Sequence, residues 1–304
     1  MKWTSKGRSR NLEDRRGQGA RGRLPRGRTT RFSLTGLLVL LGVGWFLGVD
    51  PIALLGALSG GGPMTADVRN GPGGTGSTGA PPAATSPQEE EMIEFVSFVL
   101  DDAQSVWGRE VEGYPEAKLV VYRDGTRTGC GYGQAAMGPF YCPADQKVYI
   151  DLVFYEELRR RFGAPGDMAQ AYVLAHEIGH HVQKVTGTEG RMRELQRRDP
   201  DNANEYSIRL ELQADCYAGV WAHSTQQRDI LEAGDVEEAM RAAAAVGDDQ
   251  IQKMSTGRVV PEQWTHGSSE MRTRWFRRGF DSGDPCLLYT SDAADDLVSV
   301  ECEG

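Results

Sequence analysis

Val173-Leu174-Ala175-His176-Glu177-Ile178-Gly179-His180-His181 is the stretch from which the rest of the chain is read. Pro165 and Asp167 upstream, and the apolar spacing that follows, predict a helix running to about Val185. Residues four apart on a helix are rotated by about 400°, so they share a face one turn apart. His176 and His180 can therefore aim a nitrogen at one metal ion. Glu177 sits about 100° round, beside the ion, where a base can take a proton from an attacking water. His181 is turned about 140° from His176 and is expected not to share the ion. A purely structural role would leave two imidazoles and a carboxylate unpaired among Val173, Leu174 and Ile178, which is costly.

A catalytic zinc takes three protein ligands and keeps one position open. Glu211-Leu212-Gln213-Ala214-Asp215 repeats the i, i+4 spacing on a second expected helix, Ala203 to His223, whose Leu210, Leu212, Ala214, Ala218 and Trp221 look buried. Glu211 is the expected third ligand. Asp215, one turn on, would accept the second ring N–H of a ligand histidine and fix its tautomer.

Working outward, Glu89 to about Trp107 has helical spacing, Lys118–Arg123 and Lys147–Ile150 read as strands, and Gly129–Pro143 as a Gly-rich loop or hairpin. Leu152–Phe162 looks helical. Gly187–Asn202 reads as a polar connection, and two further helices are expected at about 235–254 and 267–280. The fold class is α+β, a small strand region followed by a mainly helical remainder.

The chain of 304 residues carries 34 basic and 43 acidic side chains, net −9. Residues 1–31 hold 11 basic residues against Glu13 and Asp14, so the remainder carries −18. An acidic body argues against nucleic-acid binding through phosphate contacts. Phe32–Val49 is an uncharged run of 18 residues, about 27 Å as a helix, and Ile52–Leu58 extends it. With the basic block before it, this reads as an uncleaved single-span anchor over 32–58, with 1–31 cytoplasmic and the body exported. Residues 59–88, rich in Gly, Pro, Ser and Thr, read as a flexible tether. In an exported domain, Cys130 and Cys142 flanking the Gly-rich loop are expected to form a disulfide, and Cys216 could pair with Cys286. Connectivity is not fixed by sequence.

His-Glu-x-x-His followed by Glu-x-x-x-Asp is similar to the gluzincins. The chain as a whole resembles the predicted neutral zinc metallopeptidases of bacterial membranes. The segments that carry this are Asn11–Gly17, Gly138–Pro143, Ala175–Gln183, Glu211–Gly219 and Thr265–Ser269. The resemblance implies a zincin-like domain over 89–286, a zinc cofactor and hydrolysis of a peptide or protein substrate. It also draws attention to Thr265–Arg272. There His266 could stabilise the oxyanion of the reaction, and Arg272 could hold it or nearby carboxylates. A surface role for His266 stays equally open. His223 has no partner spacing and reads as structural. Residues 287–304 depart from the family pattern and are set aside as an atypical tail. Two alternatives to a peptidase stay open: a membrane-tethered zinc-binding scaffold, and a zinc amidohydrolase acting on cell-wall peptides.

Overall fold

A computed structural model describes residues 1–17, 86–134, 138–162 and 166–285. The expected anchor at 32–58, nearly all of the tether, the tail at 287–304, and Cys286 and Cys302 lie outside them. Among the described residues no helix is long and apolar enough to cross a membrane.

Strands β1 (Leu12–Asp14), β2 (Lys118–Tyr122), β5 (Phe140–Cys142) and β6 (Lys147–Asp151) form one sheet in the order β1-β2-β6-β5. The first three are parallel and β5 is an antiparallel edge. Strands β3 (Gly125–Thr128) and β4 (Gly131–Gln134) form a separate hairpin. β2 and β6 are buried on both faces, which explains their unbroken apolar runs. Leu119, Val121, Val148 and Ile150 join the main core, while Val120, Tyr122 and Tyr149 pack with Cys142 on the other face.

The helices are α1 (Pro87–Glu110), α2 (Val153–Phe162), α3 (Asp167–Val185), α4 (Thr188–Arg198), α5 (Ala203–Gln227), α6 (Asp235–Ala245), α7 (Asp248–Thr256) and α8 (Ser269–Ser282). Several boundaries differ from expectation for local reasons. α1 starts at Pro87, inside the expected tether. Ser86 Oγ accepts from the Glu89 amide, and the Glu89 carboxylate accepts from the Ser86 amide, a complete capping box. The polar 187–202 connection contains α4, an amphipathic surface helix braced by i, i+4 ion pairs such as Arg198–Glu194. The single helix expected at 235–254 breaks into α6 and α7 at Gly247, where a Cβ would lie 2.4 Å from the Ser269 amide nitrogen. The last helix starts at Ser269, because the Ser268 side chain caps it by accepting from the Met271 amide.

Close backbone contacts bring the chemistry-bearing helices together. A Cβ on Gly179 of α3 would lie 3.1 Å from Ala214 Cα of α5. Gly179 falls between His176 and His180, and Ala214 between Glu211 and Asp215. The small pair therefore sets one i, i+4 motif directly against the other. α5 and α8 meet through Gly219 and Gly279: a Cβ on the first would come within 2.1 Å of Phe276 O, and on the second within 2.0 Å of Cys216 O. The obstacles are backbone atoms, which cannot rotate aside. Gly219→Ala is expected to destabilise the protein by about 1–3 kcal/mol or more, read as a lowered denaturant midpoint at unchanged slope.

Residues 1–17 differ most from expectation. They are not a segment apart from the body but part of its sheet. β1 pairs in register with β2, Leu12 with Leu119 and Asp14 with Val121. The Leu119 amide donates to Asn11 O and the Arg15 amide to Val121 O, at 2.9 and 2.7 Å. Trp3 packs against Phe95 and Phe98 of α1. The Met1 ammonium lies among Asp167, Glu232 and Asp235. The basic residues have acidic partners: Arg16 with Asp14 and Glu90, Arg8 with the same two, Arg10 with Glu116, Arg15 with Glu13, and Lys2 with Asp229.

These pairs give the docking a pH dependence. The hydrogen bond from Arg15, helped by Lys147 and opposed by partial burial, holds Glu13 down at about 2. Arg16 likewise holds Asp14 below its usual value. Carboxyls depressed in the folded state contribute stability above their ordinary pKa of about 4 and lose it as the pH falls through the folded values. Amide protection over residues 11–16, corrected for intrinsic exchange, should persist at pH 5–7 and fall between about pH 4 and 2. Protection unchanged at pH 2 would show that the ion pairs contribute nothing.

Candidate metal centre

His176, His180 and Glu211 converge where α3 faces α5, with one donor atom from each lying within 4.8 Å of the others. His176 Nε2 is 3.2 Å from Glu211 Oε2, and His180 Nε2 is 3.5 Å from Glu211 Oε1. The other ring nitrogens are committed. His176 Nδ1 lies 2.8 Å from Asp215 Oδ1. An ionised carboxylate only accepts, so Nδ1 carries the proton.

The tautomer of His180 is set through Gln183. The Gln183 amide nitrogen donates to Leu210 O, at 2.6 Å, and to Gln213 Oε1. A backbone carbonyl can only accept, so the nitrogen must face it and Gln183 Oε1 must face His180 Nδ1, at 2.9 Å. His180 Nδ1 is therefore the protonated nitrogen. Both Nε2 lone pairs then confront the Glu211 oxygens, acceptor against acceptor, in a mostly buried site. Such an arrangement calls for a cation between them, and two imidazoles with one carboxylate fit a zinc ion's usual donors. Without an ion, protons take that place. Burial opposes charging His176, but Asp215 and Glu211 overcome it and raise its pKa to about 9. Glu211, despite burial, is held well below the usual carboxylate range by the two histidines.

Asp215 is fully buried and saturated. Oδ1 accepts from the Tyr172 hydroxyl, His176 and Arg272 Nη2, and Oδ2 accepts from Arg272 Nε at 2.8 Å. Arg272, 4% exposed, also donates to Val246 O. Its observed partner is thus the carboxylate behind His176. Glu177 is buried beside the pair and takes no part in the three-residue convergence. Burial raises its pKa, against the opposing pull of His180 and His176.

His181 is turned away from the centre. Its Nε2 donates to Pro115 O, and its Nδ1 accepts from the Tyr141 hydroxyl, at 2.7 and 2.9 Å. Burial lowers its pKa, in keeping with a neutral ring. Tyr141 adjoins Cys142, which forms the expected disulfide with Cys130. The bridge joins the β3–β4 hairpin to edge strand β5, and β5 in turn is bonded to α3 next to His180. Cys216 is also disulfide-bonded, and its expected partner Cys286 lies outside the described residues. His223 donates Nδ1 to Phe280 O and accepts from Gln227, a structural role.

His266 lies in the loop before α8, its side chain 45% exposed. Gly267 packs against Ile208 and Leu212, which flank Glu211, so the loop sits beside the centre. One carboxylate organises that loop. Asp248 Oδ2 accepts from the amides of Thr265, His266 and Gly267, and Asp248 Oδ1 is 3.1 Å from His266 Nδ1. Crowding opposes charging His266, but Asp248 and Glu211 raise its pKa.

Tyr172, Gln183 and Asp248 were not singled out from the sequence. Tyr172 and Gln183 could have been: Tyr172 is four residues before His176, and Gln183 three after His180. Asp248 gave no local signal. Gln183→Leu removes the acceptor that fixes His180. Zinc affinity, measured by competition with a chelator, should fall about 10–100-fold.

Two histidines and a glutamate that could hold a metal ion, with a buried carboxylate beside them, make up the His-Glu-x-x-His arrangement of this chain. The chain belongs to the family described as "putative neutral zinc metallopeptidase", which it matches over residues 1–290. It is 47% identical over 302 residues to the uncharacterized protein YpfJ of Escherichia coli K12, covering 95% of this chain and 98% of that one. It is 42% identical over 206 residues to the uncharacterized protein Rv2575 of Mycobacterium tuberculosis H37Rv, covering 64% and 69%. No solved structure matches it.

Proposed function

We propose that this protein is a zinc-dependent peptidase, held at the membrane by its apolar stretch and acting outside the cytoplasm. The observation that carries the catalytic reading is the pair of bare Nε2 atoms facing Glu211, with the buried carboxylate of Glu177 beside them and outside the ligand set. A structural metal site has no use for such a neighbouring base. When bound, zinc supplies Lewis-acid polarisation of the scissile carbonyl and acidifies the attacking water.

The protein's own groups do the rest. Asp215 and Gln183 hold the two imidazoles in the tautomer that leaves Nε2 free. Glu177 takes the proton of the attacking water and delivers it to the departing amine, and its burial brings its pKa nearer neutrality, as suits a base. His266, steadied by Asp248, donates a hydrogen bond to the oxyanion developing on the carbonyl. Arg272 and Tyr172 hold Asp215. The two disulfide-bonded cysteines Cys130 and Cys142 support an oxidising compartment.

The test uses purified full-length protein in detergent, loaded with zinc and incubated with a peptide library and with peptidoglycan in parallel. Peptide cleavage that is abolished by chelation and restored by zinc is the expected result. Stoichiometric zinc without cleavage of either substrate would make the protein a zinc-binding scaffold, and cleavage of peptidoglycan alone would make it an amidohydrolase.

A further inference from the structure

β1 belongs to the same sheet as β2 and β6, yet the apolar stretch lies between β1 and everything it pairs with. The two ends of the intervening chain are also close together. Arg16 and Arg8 both reach Glu90 on the first turn of α1, Arg16 at 3.0 Å. Glu13 meets Lys147 of β6 at 2.9 Å.

From this pairing we infer that residues 1–17 and 86–285 are two parts of one folded unit and share one side of the membrane. Residues 17 and 86, the described positions on either side of that stretch, therefore lie on the same side of any bilayer that it enters. A single crossing between residues 31 and 59 would place β1 and β2 in different compartments and is incompatible with their ladder.

Undocking of residues 1–17 would break contacts on three fronts. β2 would lose its outer hydrogen-bond partner and become an open edge. The apolar contacts of Met1, Trp3 and Leu12 with the core would be lost. Glu90, Glu116 and Asp229 would each lose a basic partner. The same pairs change how the basic block is counted. Of the 11 basic residues before Phe32, six lie in residues 1–17, and five of those six are matched to carboxylates within the fold. The positive-inside rule concerns charges that face lipid and water beside a span, so these five should not be counted towards orientation.

Two measurements on the full chain test this. In the first, Lys6→Cys and Glu112→Cys, both at exposed positions, are made separately and treated with a membrane-impermeant maleimide in spheroplasts before and after permeabilisation, with the unaltered chain as background. Both sites should behave alike. Labelling of one from outside and of the other only after permeabilisation would overturn the inference. If both label only after permeabilisation, the inference stands and the exported location proposed above fails. In the second, a site-specific protease sequence is inserted after Gly73 and the purified chain is nicked in detergent. The body should stay with the amino-terminal fragment through gel filtration and separate from it in strong denaturant. Release of the body without denaturant would overturn the docking itself.

Discussion

Glu177→Gln should keep about one zinc per chain while turnover falls by at least about 100-fold, the range for loss of a general base. The amide preserves volume and reach but cannot accept the proton. Glu177 lies outside the convergence of His176, His180 and Glu211, so the donor set is untouched. Glu211→Gln should separate from it. A neutral amide is a poor zinc ligand, and the charge that balances the two histidines is gone, so affinity and activity should fall together. Atomic absorption on dialysed protein distinguishes the two. Zinc lost from Glu177→Gln and kept by Glu211→Gln would mean that base and ligand have been exchanged.

Asp215→Asn should act first on folding. From the sequence, Asp215 is only the partner of a ligand histidine, and its loss would lower zinc affinity about 10–100-fold. In the structure it is also the counter-charge of Arg272, itself buried and ion-paired through two nitrogens. Neutralising it leaves an uncompensated guanidinium in the core, a change that typically costs about 3–5 kcal/mol. Urea unfolding of the metal-free protein measures this apart from zinc. The double variant Asp215→Asn, Arg272→Met should recover part of the loss, because the stranded charge is removed. Wild-type stability of metal-free Asp215→Asn would show that Arg272 is compensated elsewhere. Tyr172→Phe removes one donor from the same carboxylate and no charge, so its effect should be smaller, about 1.5–3 kcal/mol for a hydrogen bond to a charged group.

Helical periodicity makes half of the metal centre legible in the chain before any folding is considered. The i, i+4 spacings of His176 with His180 and of Glu211 with Asp215 each fix two side chains on one face, whatever the rest of the chain does. Apolar spacing gave α3 and α5, the runs at 118–123 and 147–150 gave the central strands to within a residue, and flanking positions in a Gly-rich loop gave the Cys130–Cys142 bridge. Tertiary structure alone decided how the two helices meet, through Gly179 against Ala214, and that Arg272 serves Asp215. It also decided that Gln183 sets the tautomer of His180, because the deciding acceptor is the carbonyl of Leu210 on another helix. Asp248 was hidden for the same reason: its partners Thr265–Gly267 follow 17 or more residues later. The amino-terminal strand was the hardest to foresee. Leu12–Asp14 is too short for any period to show, its basic neighbours look like a membrane flank, and its partners begin more than 70 residues away. Pairing across such a distance depends on hydrogen bonds and charges that exist only once the sheet has formed.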